Sequence, residues 1–453
     1  EIRLSLVGSE MCIRDSVTLP SMADIHAHVA RLEPYMVEAL SALVAAASPS
    51  GAEQPAAEAM ERLLAELGLE TERIVLDSRL IEDDPMFSCP CDPDGGRYNL
   101  LARHVPVRRD PGSRSVLFNG HLDVVPTGPL GLWSRAPFEP YVDDGWLHGR
   151  GAGDMKGGLV CTLAAFKALR DWGLEPAGIV GFNAVLDEEN TGNGTLATLH
   201  ALQNALGKAR LTDFDAVIIP EPFGETLMSA QVGVCWLSVT LTGRPAHVAY
   251  MHSGLNPIEA GIAVMADLKL LEAEWNAPEN RHPAFMDVAH PINFNLGTIQ
   301  GGEWNSSVPC TCTMGLRCGF FPDVSADDAL AEISARIRDK VAALNPDLVV
   351  EIDARGHHSP GCVYDLEHPA MALLATCHEQ ATGVAPSRLA CTATTDGRHF
   401  QLSTSLPVTN YGPLARHIHG IDEAVSLDSM KRVTATLIQF IVTWCGVQPR
   451  RTA

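Results

Sequence analysis

Short apolar runs alternate with helical patterns along the first half of this chain, and this alternation most constrains what it can fold into. Three of the runs are almost wholly apolar, at residues 115–118, 178–186 and 215–219. Strands that are buried on both faces have this composition. Helical patterns at residues 155–172 and 195–206 separate them. The alternation predicts an α/β layer with a mostly parallel central sheet.

The pattern changes after residue 232. The apolar periodicity then predicts a strand, a helix, two strands, a helix and a strand, at residues 234–241, 256–275, 292–299, 308–318, 326–344 and 348–354. This β-α-β-β-α-β order is that of a ferredoxin-like sandwich. We therefore expect residues 233–356 to form an inserted domain.

The α/β pattern resumes beyond residue 356. Helical patterns at 369–382 and 428–444 flank a strand pattern at 406–411. We expect the first domain to be built from two segments of the chain, residues 21–232 and 357–453, because the same alternation lies on both sides of the insertion.

The N-terminal region gives further predictions. Residues 34–47 and 53–67 have helical patterns, and Gly68 follows the second at a position where helices favour a left-handed residue. Residues 1–20 do not begin with Met and have no helical or strand period. We expect that segment to be non-native or disordered, with Met22 as the native start.

The charge balance restricts the class of partner. The chain has 55 acidic and 33 basic side chains, a formal net charge of −22. Nucleic acids and anionic membranes attract basic surfaces, so we expect neither as a partner. The apolar runs are too short to span a membrane, and charges interrupt the N-terminal region. The 12 cysteines lack the spacing of a thiolate zinc site, which favours reduced thiols in a cytoplasmic protein.

Side chains of the kinds that bind metals follow the predicted strands or begin a predicted helix. They are His121, Asp123, Asp154, Asp187, Glu188, Glu189, Glu221, His417 and His419. In open α/β sheets, ligands gather beyond the carboxyl ends of the strands. We therefore expect these side chains to converge on one site.

Each position also has a simpler interpretation. The spacing of His121 and Asp123, an imidazole with an orienting carboxylate, is common on protein surfaces. Asp154 lies in a glycine-dense stretch, residues 149–158, where it could cap the following helix or bridge two metals. A phosphate-binding loop is a weaker alternative there, because the Gly-x4-Gly-Lys-Ser/Thr spacing is absent.

The acidic run and the histidine pair leave alternatives of the same kind. Asp187, Glu188 and Glu189 repel one another unless solvent, protons or cations neutralise them. His417 and His419 are rival ligands, and the Asp-Glu pair that follows favours His419.

Taken together in this order, these residues resemble the M20 metallopeptidase family, of the type that includes acetylornithine deacetylase and succinyl-diaminopimelate desuccinylase. The motifs are His-x-Asp, Gly-Asp-Met-Lys-Gly-Gly, Asp-Glu-Glu, Glu-Pro and His-Gly-x-Asp-Glu. The resemblance covers almost the whole chain after residue 30. It implies a zinc-hydrolase catalytic domain that carries an inserted lid or dimerisation domain.

The resemblance also implies a role for each residue. His121, Asp154 and Glu221 would hold one Zn²⁺, and Asp154, Glu189 and His419 a second, with Co²⁺ or Mn²⁺ as alternatives. Glu188 would be the general base and Asp123 the orienting acid. A cis peptide is expected between Asp154 and Met155.

For the inserted domain, the resemblance implies contacts with substrate and with a partner subunit. His247 would reach the active site of a second copy and stabilise the oxyanion, which requires a homodimer through residues 233–356. Asn305, Arg317, Thr394 and Arg398 match substrate-binding positions. Arg317 could instead form a structural ion pair.

The leading functional hypothesis is hydrolysis of the amide bond of a small N-acyl amino acid by metal-activated water. Dipeptidase or carboxypeptidase activity is the alternative within the same chemistry. A metal-free binding protein on the same fold is the alternative of a different class. The presence of every expected ligand and of Glu188 favours an enzyme.

Overall fold

The computed structural model describes residues 19–109 and 112–450. Most of the N-terminal segment predicted to be non-native or disordered, residues 1–18, lies outside these ranges. Across the described ranges, no helix combines the length and the apolar character that crossing a membrane requires.

Nine α-helices are found among the described residues: α1 (Met22–Ala45), α2 (Gln54–Glu66), α3 (Gly158–Asp171), α4 (Asn193–Gln203), α5 (Pro257–Trp275), α6 (Ala326–Leu344), α7 (Pro369–Thr382), α8 (Gly397–Ser403) and α9 (Leu427–Trp444). The start predicted for α1, at residue 34, is wrong. Ser21 and Asp24 form a reciprocal capping box that begins the helix at Met22, and Pro34 lies inside it. Gly68, after α2, has the predicted left-handed conformation.

The strands before the insertion are β1 (Thr71–Val75), β2 (Tyr98–His104), β3 (Val116–His121), β4 (Tyr141–Asp143), β5 (Trp146–His148), β6 (Leu174–Pro176), β7 (Val180–Val185), β8 (Val217–Ile219) and β9 (Leu227–Gln231). Those that follow are β10 (Gly233–Thr242), β11 (Ala246–His247), β12 (Phe294–Gly301), β13 (Ser307–Val308), β14 (Thr311–Phe320), β15 (Val349–Asp353) and β16 (His358–Ser359). The last are β17 (Cys362–Val363), β18 (Arg388–Cys391), β19 (Val408–Asn410), β20 (Ala415–Arg416), β21 (Ala424–Ser426) and β22 (Val447–Pro449).

The central sheet has the strand order β1-β2-β7-β3-β8-β19. From β7 to β19 all neighbours are parallel, whereas β1 and β2 join antiparallel at one edge. Every residue of β3, β7 and β8 is buried, as expected of strands covered on both faces. This confirms the predicted α/β class with a mostly parallel sheet. It also places the carboxyl ends of β3, β7 and β8 side by side.

A second sheet, the inserted sheet, has the order β12-β14-β10-β15, with β16 also paired to β10. All its pairs are antiparallel. Its elements follow the predicted order, with α5 after β10 and α6 after β14. Buried residues of α5 and α6 form one hydrophobic core with one face of the sheet. The division of the chain into domains at residues 233 and 356 stays a prediction.

Two small sheets complete the surroundings of the site. β20, β21, β5 and β4 form an antiparallel sheet beside the glycine-dense loop, and β17, β9 and β18 form another. These strands are all only two to five residues long. The sequence periodicity did not predict them, because a strand of two or three residues is too short to show a period.

Candidate metal centre

His121 is the last residue of β3, and its side chain is 1 % exposed. Its Nδ1 atom lies 2.9 Å from the backbone carbonyl oxygen of Asp123, and 3.7 Å from the Asp123 carboxylate. A proton donated from Nδ1 to that carbonyl leaves Nε2 as a free ligand atom. The backbone carbonyl of Asp123 therefore orients the ring. The spacing of the two residues predicts that the Asp123 carboxylate would do so, and the structure differs.

The Asp123 carboxylate instead holds the acidic run. Its oxygens accept hydrogen bonds from the backbone N–H groups of Glu188 (3.2 Å) and Glu189 (3.1 Å), and from the Ser50 hydroxyl (3.2 Å). Asp123 thus joins the ends of β3 and β7, and it fixes the backbone from which two candidate site residues project.

The three acids after β7 separate into two roles. Asp187 has a left-handed backbone (φ +65°), and its side chain turns away to accept hydrogen bonds from Arg97 (2.9 Å) and Thr191. Glu188 is 6 % exposed, and the side chain of Glu189 is 7 % exposed. The run is therefore not a solvated surface patch. Its first member is structural, and the next two face the site.

Asp154 lies in an irregular helical turn, Ala152–Gly157, that precedes α3. Its carboxylate faces two imidazoles instead of capping α3. The peptide bond between Asp154 and Met155 is cis, as the resemblance implied. A Cβ atom on Gly158 would overlap the Pro220 carbonyl group. Glycine there lets the turn approach the end of β8, where Glu221 follows.

Glu423, in the loop before β21, accepts hydrogen bonds from the backbone of the turn that carries Asp154. Its Oε1 atom accepts hydrogen bonds from the N–H groups of Gly153 (2.9 Å) and Asp154 (3.0 Å). Its Oε2 atom accepts from the N–H of Gly151 (3.1 Å) and from Nη1 of Arg150 (2.5 Å). One buried carboxylate thereby satisfies three backbone donors of the loop that carries Asp154.

His419 comes from the loop between β20 and β21 and has a left-handed backbone (φ +61°). Its side chain is half-exposed, and its Nε2 atom points at Asp154 and Glu189. His417 is exposed, and its Nδ1 atom lies 3.3 Å from the backbone carbonyl oxygen of Asp422. The structure thus brings His419, and not its rival, to the site.

The distances divide the site into two groups of ligand atoms that share Asp154. In the first group, Nε2 of His121 lies 3.1 Å from Oδ1 of Asp154 and 4.0 Å from Oε1 of Glu221. In the second, Nε2 of His419 lies 3.4 Å from Oδ2 of Asp154 and 3.1 Å from Oε2 of Glu189. Each group has its atoms within 4.8 Å of one another. One oxygen of Asp154 therefore faces each group.

The carboxylates of this cluster are buried close together, and this raises the pKa of the three glutamates. Burial and then the charge of Asp154 raise the pKa of Glu221 well above its ordinary value. Burial and the Asp154 charge likewise raise the pKa of Glu189, and burial with Asp396 and Glu221 raises that of Glu188.

The two imidazoles respond in the opposite sense. Burial alone would lower the pKa of His121, but the hydrogen bond to Asp154 and the charge of Glu188 raise it well above its ordinary value. Burial alone would also lower the pKa of His419, but the charges and hydrogen bonds of Glu189 and Asp154 together raise it to about 11. The site therefore favours positive charge at both groups.

The donor set fits two divalent cations. Each group offers one imidazole nitrogen and carboxylate oxygens, the mixed set that zinc, cobalt and manganese accept. A carboxylate with one oxygen turned to each group is the arrangement that a bridging ligand requires. The residues present thus match the chemistry of a dinuclear metal centre.

A cleft of about 690 Å³ opens beside Glu188, Glu189 and His419, within the range of small-molecule sites. Its opposite wall is the face of the inserted sheet that α5 and α6 leave uncovered. Of the residues predicted to contact substrate, Arg317 and Thr394 line it. Arg317 donates to the backbone carbonyls of Thr392 (2.9 Å) and Asn293 (3.3 Å), and no described carboxylate pairs with it, so the structure gives no support to the ion-pair alternative.

The other predicted contacts lie elsewhere. Arg398 is fully buried, and its guanidinium donates to the carbonyls of Thr191 (2.9 Å) and Thr395 (2.8 Å). That is a structural position behind the site. His247 and Asn305 are exposed and lie outside the cleft, His247 in β11 and Asn305 just before β13, the strand that pairs with β11.

Sequence reasoning missed several residues that line or support the site. Trp236, Asn295 and Arg355 line the cleft, and they belong to no motif. His357 is buried, and its Nε2 atom lies 3.2 Å from the Glu189 carbonyl oxygen. For Glu423, which holds the loop of Asp154, the sequence offers one indication of a role: it is the last residue of the His-Gly-x-Asp-Glu motif.

Comparisons with known proteins agree with this geometry. Residues 117–443 match the family model of peptidase family M20/M25/M40. Succinyl-diaminopimelate desuccinylase of Maricaulis maris is 31% identical over 356 residues, covering 77% of this chain and 85% of the relative. The dipeptidase Dug1p of Saccharomyces cerevisiae has a similar structure, with a TM-score of 0.78 at 14% identity, over 94% of this chain and 99% of that chain.

Human carnosine dipeptidase 1 is a second structural neighbour, with a TM-score of 0.74 at 15% identity, over 94% of this chain and 98% of that chain. At these identities the two structures show the shared fold alone. The family model and the desuccinylase show more. This chain belongs to peptidase family M20/M25/M40 and is a metal-dependent hydrolase that acts on amide bonds.

Proposed function

We propose that the chain hydrolyses the amide bond of a small N-acyl amino acid with the help of two zinc ions. The observation that carries this proposal is the placement of Asp154, whose two carboxylate oxygens face His121 and His419 separately. His121, Asp154 and Glu221 would hold one ion, and Asp154, Glu189 and His419 the other. Bound there, such cations lower the pKa of water and polarise a carbonyl oxygen.

Glu188 is the proposed general base. Its Oε2 atom lies 3.9 Å from Nε2 of His121, and its side chain also lines the cleft. It therefore lies between the ligand groups and the space for substrate. We expect Oε2 to accept a proton from the attacking water and then to donate it to the nitrogen of the leaving amine.

Asp123 and His357 hold this machinery in place. Asp123 binds the backbone N–H groups of Glu188 and Glu189, and His357 lies against the carbonyl oxygen of Glu189. The backbone of Glu188 and Glu189 is thus fixed at both N–H groups and at the Glu189 carbonyl, which keeps the base in position beside the ligand groups.

The deacylase assignment is supported by the identity to the desuccinylase and by the cationic side of the cleft. Arg317 presents a guanidinium to the cleft, and a carboxylate of an amino acid product is its natural partner. A dipeptide also has such a carboxylate. The substrate experiment therefore includes both compound classes.

The test uses zinc-loaded wild-type protein and Glu188→Gln. Both proteins are assayed against N-acetyl, N-succinyl, N-formyl and N-carbamoyl amino acids and against dipeptides. The wild-type protein should hydrolyse at least one of the N-acyl amino acids. Glu188→Gln should lower kcat by about 100-fold or more while the bound zinc, measured by mass spectrometry, is unchanged. Turnover of dipeptides alone, or zinc lost together with activity in Glu188→Gln, would contradict the proposal.

We further propose that the chain is a homodimer joined through residues 233–356. β12 is an edge strand, and apolar side chains of this region are exposed, among them Ile262 (62 %) and Ile299 (50 %). Unpaired edges and exposed apolar residues are features of surfaces that associate. In such a dimer His247, exposed in β11, would reach the partner's cleft and donate to the oxyanion.

Mixing two inactive variants tests this arrangement. Glu188→Gln retains His247, and His247→Ala retains Glu188, so a mixed dimer regains one complete site. We expect each variant alone to lose about 100-fold or more in kcat, and the mixture to recover activity after subunit exchange. A monomer in light scattering, or no recovery from an exchanged dimer, would contradict the proposal.

A further inference from the structure

Three side chains of the inserted sheet form one row across the cleft. Trp236 of β10 pairs in register with Arg317 of β14, and Arg317 pairs with Asn295 of β12. All three line the cleft. Residues paired directly across antiparallel strands project on the same face, about 5 Å apart. An indole, a guanidinium and an amide therefore lie side by side opposite Glu188.

The indole of Trp236 is held firmly in this row. His357 meets it edge to face, with ring centroids 5.1 Å apart. A Cβ atom on Gly356 would lie against Cε3 of the indole, so the chain can pass so closely only with glycine at that position. Because Gly356 and His357 fix one side of the ring, Trp236 is a rigid wall of the cleft, not a mobile surface residue.

The cationic part of the row is fixed and unpaired. Arg317 is anchored by its two bonds to backbone carbonyls, and among the described residues no carboxylate neutralises it. Arg355, the second guanidinium that lines the cleft, has a partner, since its Nε atom lies 3.3 Å from Asp353. The cleft therefore presents one unpaired guanidinium, which suits a ligand with one carboxylate at this end.

Apolar side chains also line the cleft near Trp236. Val234 precedes it on the same face of β10, and Ala393 lines the cleft from the other side. Val234 is buried, so an apolar surface lies beside the indole in the cleft. A charged side chain packed against Val234 and the indole would lose part of its hydration at an apolar surface.

We propose that Trp236 is a specificity-determining residue that receives the aromatic or large apolar side chain of the amino acid, while Arg317 and Asn295 receive its carboxylate. The inference rests on the proposed function, that the cleft binds N-acyl amino acids. It adds the class of amino acid: one carboxylate, with a side chain that can pack on an indole face. Amino acids with a second charged group in the side chain are poor substrates.

Binding to an inactive holoenzyme tests this directly. The zinc-loaded Glu188→Gln protein is titrated calorimetrically with N-acetyl-L-phenylalanine, N-acetyl-L-alanine and N-acetyl-L-glutamate. N-acetyl-L-phenylalanine should bind about 10- to 100-fold more tightly than N-acetyl-L-alanine, because its aromatic side chain is buried against the indole. In the Glu188→Gln protein, a second change, Trp236→Ala, should abolish this ratio of affinities and leave the affinity for N-acetyl-L-alanine unchanged. Trp236→Phe in its place should keep most of the ratio.

A matched control is Thr240→Ala, on the same strand and the same face but beyond the cleft, which should change neither affinity. Equal affinity for N-acetyl-L-phenylalanine and N-acetyl-L-alanine, or an equal loss of affinity for both in Trp236→Ala, would overturn the role of Trp236. In either case wild-type turnover of N-acetyl-L-alanine would leave the proposed function intact. If no N-acyl amino acid is bound or hydrolysed, the proposed function fails, and this inference fails with it.

Discussion

The carboxylate of Glu423 accepts a hydrogen bond of 3.0 Å from the backbone N–H of Asp154, the residue whose oxygens face both groups of candidate ligands. The same side chain binds Arg150 and two further N–H groups of the loop. Glu423 is 1 % exposed. A buried carboxylate with four donors fixes the position of Asp154 without contacting the site itself.

Glu423→Ala should therefore weaken both the fold and the site. Arg150 would be left buried without its partner, which destabilises a protein by about 3–5 kcal/mol. The loop would no longer fix Asp154, and loss of such support lowers metal affinity by about 10- to 100-fold. Urea denaturation and zinc titration with a competing chelator measure the two effects. Glu423→Gln, which keeps one acceptor oxygen, should lose less of both, and equal zinc affinity in all three proteins would contradict this role.

The buried group of Glu53, Arg97 and Asp187 supports the site from the side of β7. Nη2 of Arg97 donates to Glu53 and to Asp187 (2.9 Å), and its Nε donates to Glu53 (3.0 Å). Arg97→Met would leave two buried carboxylates unpaired, so we expect a loss of about 3–5 kcal/mol in the free energy of unfolding. Since Asp187 is followed by Glu188, kcat should also fall, by more than KM rises.

The chain has a matched control for this variant. Arg79 also pairs with an aspartate, Asp77, but its side chain is 83 % exposed. Arg79→Met should therefore leave urea denaturation and kcat unchanged, because exposed ion pairs contribute little. If Arg97→Met behaves like Arg79→Met, the buried group does not position the acidic run.

The long elements of this fold could be predicted from the sequence, and the short ones could not. The bounds predicted for α6 and α7 are the observed ones, because their apolar periods run for many turns. The start of α1 was misplaced because Pro34 is usual at a helix start, and the capping box of Ser21 lies further upstream. β20 and β21 have two or three residues each, too few for any period.

The same limit applies to the site. Candidate metal ligands at strand ends could be recognised because sheet topology brings such ends together. Trp236 could not, since its neighbour Arg317 lies 81 residues further along the chain and is known only once β10 and β14 are paired. Arg398 looked like a contact in its motif, but its direction, into the backbone carbonyls behind the site, is set by packing.

The inserted region should lose stability in acid through Glu272. Burial opposes its ionisation, but hydrogen bonds from Lys269, from the backbone N–H of Phe294 and from His290 lower its pKa below the ordinary value. A lowered folded-state pKa means that the carboxylate stabilises the fold fully above the unfolded value of about 4.3. That stabilisation is lost as the pH falls through the folded-state pKa.

Comparison with Glu272→Gln measures this effect. The difference in the free energy of unfolding between wild type and variant should be constant at neutral pH and should shrink as the pH falls below about 4. Urea denaturation across this range gives the difference. A difference that grows toward acid would show that Glu272 is not held ionised by these partners.

The shared position of Asp154 predicts how metal binding divides between variants. Asp154 belongs to both groups of ligands, whereas Glu221 belongs to one. Asp154→Asn should therefore lose both ions and Glu221→Gln only one, as measured by mass spectrometry after dialysis against zinc. Zinc at 100 times its dissociation constant should stabilise wild type by about 2.7 kcal/mol per site. This gain should be absent in Asp154→Asn and partial in Glu221→Gln. Equal zinc content in the two variants would mean that the carboxylate of Asp154 does not bridge the two groups.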